Sequence, residues 1–113
     1  MSQEINNSDE YISAIDNKKQ LVLIDFYADW CQPCKMISPK YEKLSKDYNF
    51  VKLYKVNVSN PANTFCVKSC DIKKLPTFAY FHNGLFLDSY IGVDMNILTE
   101  KIERLSEEHS IKQ

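Results

Sequence analysis

The residues best equipped for chemistry are two cysteines three positions apart, Cys31 and Cys34, within Trp30-Cys31-Gln32-Pro33-Cys34-Lys35. Cysteines at that spacing, at the start of a helix, share one face of its first turn and lie near enough to close a small disulfide ring. Such a pair can cycle between dithiol and disulfide. A helix start also favours a thiolate, because its first N–H groups lack intrahelical partners and the macrodipole places partial positive charge there. With Cys31 at the cap, Pro33 falls in the first turn, where its missing N–H costs little, and the Cys34 N–H can point at the Cys31 sulfur. Cys31 is then the outer, attacking sulfur and Cys34 the inner one. Lowering a thiol from roughly 8.5 to about 7 takes on the order of 2 kcal/mol and raises its thiolate fraction at neutral pH from a few per cent to about half. The competing chemistry is a structural metal site shared with Cys66 and Cys70. Zinc needs four convergent ligands, and a helix head running into a long helix offers no knuckle for them, so no metal is expected.

Asp25 is the next candidate, since it interrupts the apolar run Leu21-Val22-Leu23-Ile24-Asp25-Phe26-Tyr27 that leads into the motif. A carboxylate buried there without a partner is costly and holds its proton more tightly. It either transfers protons at the site or pairs with Lys55 to hold the sheet; proton transfer is the stronger reading because this strand runs straight into the cysteines. Trp30 beside the sulfur is either core or an apolar platform for substrate. Cys66 and Cys70 share one helical side, as small half-buried residues or as regulatory thiols.

The elements that must position these groups follow from periodicity. Asp9 and Glu10 suit a first helical turn, and Tyr11, Ile12 and Ile15 recur at helical spacing, with a short strand near Ile5. Leu21–Tyr27 is too continuously apolar for a strand with one wet face and is expected to be central and covered on both sides. From Cys34 to about Tyr48, Met36, Ile37, Tyr41, Leu44 and Tyr48 form one helical face, kinked at Pro39. Val51 to Val58 is the next strand, and Asn60-Pro61 opens a short helix through Phe65, Cys66 and about Cys70. Two apolar runs, Leu75–Phe81 and Leu85–Ile91, flank His82-Asn83-Gly84, a strong hairpin signal. Asp94 then caps a last helix carrying Ile97, Leu98, Ile102 and Leu105 on one face. The expected fold is α/β, a central mixed sheet of four to five strands flanked by four helices, with the cysteines at the carboxyl end of the central strand.

With 113 residues, 44% of them hydrophobic, the chain suffices for one core, and residues 1–113 are expected to form a single domain with a frayed tail from His109 to Gln113. A net charge of -1 and a pI near 6.1 leave no electrostatic footprint for nucleic acid or an anionic membrane. No apolar run approaches the roughly 20 residues that span a bilayer, and the first residues lack a basic-then-apolar leader. The expectation is a cytoplasmic monomer, and in a reducing compartment a Cys-x-x-Cys pair is more often redox-active or metal-binding than structural.

Several separated stretches, in order, resemble the thioredoxin family over nearly the whole chain. They are Val22 to Lys35, Met36-Ile37-Ser38-Pro39, Lys55-Val56-Asn57-Val58, Leu75-Pro76-Thr77-Phe78, Asn83-Gly84 and Ile91-Gly92. The resemblance implies a thioredoxin-like fold and a protein disulfide reductase without cofactor, regenerated by a thioredoxin reductase. In it Cys31 attacks a client disulfide and Cys34 resolves the mixed disulfide. Asp25 assists proton transfer at Cys34 through water, with Lys55 beside it. Pro76 corresponds to the family's cis-proline, although base rates alone favour a trans bond. Trp30, Gln32, Pro33, Leu75, Thr77 and Gly92 border the substrate groove. Gln32 departs from the glycine usual at that position and adds an exposed amide beside the attacking sulfur. The alternative function is a module that binds partners in this groove without turnover.

Overall fold

The computed structural model describes residues 1–112. The chain runs β1 (Gln3–Ile5), α1 (Ser8–Ile15), β2 (Leu21–Tyr27), α2 (Gln32–Glu42), α3 (Leu44–Asp47), β3 (Val51–Asn57), a 3-10 turn (Pro61–Asn63), α4 (Thr64–Ser69), β4 (Thr77–His82), β5 (Leu85–Ile91) and α5 (Met95–Glu108). One mixed sheet holds the five strands in the order β1-β3-β2-β4-β5, so β2 is its middle. β2 pairs in parallel with β3, placing Asp25 opposite Lys55, and antiparallel with β4, placing Asp25 opposite Phe78. With α2 and α3 counted as one interrupted helix, four helices flank the sheet.

Alternation along β2 explains why its sequence is continuously apolar. Leu21 and Leu23 face a core shared with Ile37 and Tyr41 of α2, Leu44 of α3 and Leu98, Ile102 and Leu105 of α5. Val22, Ile24 and Phe26 face the opposite core, with Tyr11 and Ala14 of α1 and Cys66 of α4. Successive side chains of a strand point to opposite faces, and here each face is covered by helices. A buried tyrosine ties the layers together: the Tyr41 hydroxyl donates to the carbonyls of Leu23 at 3.1 Å and Tyr54 at 2.7 Å.

Local signals account for the ends of most elements. Asn7 caps α1, Asn60 the 3-10 turn and Asp94 α5, each side chain accepting a backbone N–H. Asn83 and Gly84 both have positive φ, +55 and +79, as a type I′ hairpin turn demands.

Three expectations are corrected. Met36 is 68% exposed, and Ile97 likewise points to solvent, so neither joins the buried face predicted for its helix. The helix expected to run unbroken from the cysteines to about Tyr48 is instead interrupted at Lys43. The tail expected to fray from His109 instead folds back. Ser110 takes the left-handed conformation, φ +54, the Ser110 N–H bonds the Glu107 carbonyl, and the Ile111 N–H bonds the Ser106 carbonyl at 2.8 Å. That pattern is a Schellman stop, and it turns Ile111 into the core beside α5, where it is 6% exposed. Gln113 lies outside the described residues.

Candidate active site

β2 ends at Tyr27, and four residues later the chain turns into α2 with Cys31 as its cap. Cys31 is extended (φ -89, ψ 106), its sulfur lies 3.3 Å from the Cys34 N–H, and Pro33 occupies the first turn. Cys31 and Cys34 are joined by a disulfide, their Cα atoms 5.3 Å apart. The Cys34 amide at the helix head thus faces the Cys31 sulfur, a geometry that stabilises a thiolate once the bond is reduced. Burial does not distinguish the two sulfurs as outer and inner: Cys31 is 5% exposed and Cys34 4%. Their surroundings differ instead.

Cys34 faces a cavity of about 170 Å³ that it shares with Asp25, Tyr27, Lys35, Ser38 and Lys55. Asp25 is 1% exposed, and its Oδ1 has no hydrogen-bond partner among the described residues. Burial pushes its carboxyl up to about 7; Lys55 pulls it down, whereas Glu42 and Glu4 push it further up. A carboxyl pushed up this far can hold a proton near neutrality, and it shares its cavity with the Cys34 sulfur. Lys55 does not pair with it, since no ion pair among the described residues joins them. The Lys55 ammonium sits 4.6 Å from the centre of the Tyr27 ring.

On the other side of the disulfide, Leu75 packs against Ala28, Cys31 and Cys34. The Leu75-Pro76 bond is cis. Thr77, buried, donates its hydroxyl to the Lys74 carbonyl, and the Gly92 N–H reaches the Pro76 carbonyl at 3.3 Å. The Leu75 N–H and carbonyl have no backbone partner among the described residues. Gly92 has φ +146, and a Cβ there would stand 2.5 Å from the Tyr90 hydroxyl. Trp30 is 73% exposed, with its ring N–H 3.3 Å from the Ser59 hydroxyl, and Gln32 and Pro33 are exposed beside it. Of the residues expected to border the groove, Trp30, Gln32 and Pro33 are exposed, Leu75 and Gly92 are half-buried, and Pro76 and Thr77 are buried.

Cys66 lies in α4 and Cys70 just beyond it, where Cys70 lines a cavity with Thr77 and Ile91. Cys66 is fully buried, its thiol bonded to the Asn63 carbonyl at 3.3 Å and pushed up to about 11 by burial. Cys70 is half-buried, 3.5 Å from the Tyr11 hydroxyl, and burial raises it too. Neither is bridged. No group of three or more His, Cys, Asp or Glu among the described residues converges as metal ligands do.

Sequence reasoning did not single out Glu4 or Tyr27 for the site. Their contact depends on the register of β1, a strand of three residues with no signal of its own beyond Ile5.

The Thioredoxin family pattern matches residues 2–104. The chain is 39% identical over 105 residues to thioredoxin of Ictalurus punctatus, covering 90% of this chain and 96% of that one. It is 34% identical over 101 residues to thioredoxin 1 of Plasmodium falciparum, covering 89% and 95%. Among solved structures, the oxidized form of mitochondrial thioredoxin 3 from Saccharomyces cerevisiae superimposes with a TM-score of 0.83 at 30% identity, covering 91% of this chain and 94% of that one.

Proposed function

The chain belongs to the thioredoxin family, and on that premise we propose how its own residues divide the work of reducing a protein disulfide. It is a disulfide oxidoreductase whose redox-active centre is the Cys31–Cys34 pair. Members of the family act on disulfide-bearing clients and are regenerated by thioredoxin reductase.

In the reduced protein the Cys31 thiolate, facing the helix amides, attacks one sulfur of the client disulfide. A Cys31–client bond forms, and the other client sulfur leaves as a thiol after taking a proton. Asp25 then accepts the Cys34 proton through water in their shared cavity. The Cys34 thiolate attacks the Cys31 sulfur, the Cys31–client bond breaks, the client's second sulfur leaves as a thiolate and takes a proton while Asp25 gives up the one it held, and the protein carries the Cys31–Cys34 bridge. Two electrons have passed to the client. Trp30, Gln32 and Pro33 flank the approaching client, while Leu75, Pro76, Thr77 and Gly92 border its extended segment, with the free Leu75 peptide groups as its hydrogen-bond partners. Lys55 tunes Asp25.

One observation carries this reading: the Cys31 sulfur caps a helix while the partner sulfur shares a cavity with a buried, unpaired carboxyl. The working unit in this reading is one domain, residues 1–113, acting as a monomer in a reducing compartment such as the cytoplasm. Sedimentation and fractionation of the tagged protein test those two points. No helix among the described residues is long and apolar enough to cross a membrane. The functional test is insulin reduction with dithiothreitol as electron source. Acceleration over dithiothreitol alone is expected; none would leave the groove as a binding surface without turnover.

A further inference from the structure

Side chains from three neighbouring strands meet beside the Asp25 cavity. Glu4 of β1 and Asp25 of β2 both stand opposite Lys55 of β3 in the ladder register, and Tyr27 follows Asp25 by two residues on the same face of β2. The Tyr27 hydroxyl lies 3.0 and 2.9 Å from the two oxygens of the Glu4 carboxylate and donates to it. The Lys55 ammonium rests 4.6 Å from the Tyr27 ring centre, within cation–π range. It forms no ion pair with Glu4 or Asp25, although the register aligns it with both. The lysine head group is therefore held by a ring that is itself anchored at its far end.

We propose that Glu4 and Tyr27 are positioning residues for Asp25: Glu4 fixes the Tyr27 ring, and the ring holds the Lys55 ammonium out of ion-pair contact with the Asp25 carboxyl. An opposite charge brought within about 4–6 Å lowers a carboxyl by roughly 1–3 pH units, so where the ammonium rests decides whether Asp25 can carry a proton near neutrality. The other groups facing Asp25 do not explain its state by moving. Glu42 of α2 is held by the Ser2 N–H and hydroxyl, and Tyr41 of α2 is held by two backbone carbonyls. Asp29 and Lys35 line the cavity from exposed positions, and Cys34 is engaged in the bridge. Of the two lysines on the cavity, Lys55 is the one that the ladder register places opposite Asp25. The consequence for catalysis rests on the reading of Asp25 as the proton carrier; the positioning itself does not.

The test follows the Asp25 carboxyl by NMR across pH in the oxidised full-length protein labelled with 13C-aspartate. Tyr27→Phe keeps the ring and changes no charge, but removes the anchor to Glu4. Its Asp25 midpoint is expected to fall by about one pH unit, and Tyr27→Leu, lacking the ring, is expected to fall at least as far. Both effects should vanish on a Lys55→Met background, where there is no ammonium to release. An unchanged midpoint in Tyr27→Phe, or a fall that persists without Lys55, overturns the proposal. A purely structural role for Tyr27 would not produce this dependence on Lys55. In parallel, the rate at which the mixed disulfide is resolved is measured against pH. If the Asp25 midpoint moves and that rate profile does not, the positioning stands and the assignment of Asp25 as proton carrier fails.

Discussion

Replacing Asp25 with asparagine converts the cost of burying a carboxylate into a measurable stability. Burial moves this carboxyl from an ordinary value of 3.8 up to about 7, in a residue that is 1% exposed. Between those limits the folded protein keeps a proton that the unfolded chain has lost. Stability therefore falls as pH rises from about 4 to about 7, by ~1.4 kcal/mol per pH unit, and stays at the lower level above that range. The whole fall is about 4 kcal/mol, a large share of the roughly 5–15 kcal/mol that hold a domain folded. Asparagine matches the neutral acid in shape and cannot ionise, so Asp25→Asn should match wild type on the acid side and escape the decline. Urea unfolding of the oxidised proteins, in which the active-site sulfurs do not titrate, measures this directly. At about pH 8 the variant should unfold later by roughly 2 M urea, for a slope of about 2 kcal/mol/M. Asp88 does not confuse the comparison. Its burial is outweighed by hydrogen bonds from Lys101, Ser89 and Arg104, which lower it overall, so its contribution is lost only on the acid side of the ordinary carboxylate range. Wild type and variant running parallel from about pH 5 to about pH 8 would refute the reasoning.

Further outcomes are expected of the site and its frame. Cys34→Ser should accumulate mixed disulfides with clients, seen on non-reducing gels, while Cys31→Ser should neither trap nor turn over; the reverse pattern would exchange their roles. Gly92→Ala places a Cβ against the Tyr90 ring, and that ring cannot swing freely because its hydroxyl accepts the Asp94 N–H at 2.9 Å. With the positive φ added, a loss of roughly 1–3 kcal/mol is expected by thermal melting. Ser110→Gly relieves a left-handed residue at the end of α5 and should raise stability by about 0.5–1 kcal/mol, whereas Ile111→Ala should cost about 2 kcal/mol or more. Equal melting temperatures for all three proteins would refute the folded-back terminus.

Where a feature is decided by residues close in sequence, it was legible beforehand. The apolar stretch of β2, interrupted only by Asp25, marked it as central, Asn83-Gly84 marked the hairpin, and Asp94 marked the start of α5, because each signal is carried by residues adjacent in sequence. The cis bond at Pro76 became legible only through the family resemblance, since nothing local overrides the usual trans preference. Ile111 was misread because Ser110 carries no left-handed signature of the kind glycine or asparagine would give; the stop is stabilised by the pocket that receives Ile111. Met36 illustrates a different limit. The buried stripe of α2 is Cys34, Ile37 and Tyr41, and Met36, about 100° around the helix from Ile37, falls outside it. The Glu4–Tyr27 contact depends on how β1 registers against β3, which no periodicity in three residues can specify.

What separates the two sulfurs, then, is direction rather than depth. Both are nearly inaccessible in the bridged state, so accessibility cannot assign the attacker. The Cys34 amide and the positive end of the α2 dipole stabilise negative charge at Cys31 without needing a base, while Cys34 shares its cavity with a carboxyl that can take a proton. Activation at one sulfur is therefore permanent and electrostatic, whereas at the other it is conditional on a proton leaving. That difference suits a reaction in two halves: the first attack must be ready whenever a client arrives, and the second should wait until the mixed disulfide has formed. In the proposed mechanism Asp25 imposes the wait only while its own proton is exchangeable near neutral pH, and the proposed placement of Lys55 would then bear on the order of events as well as on their rate.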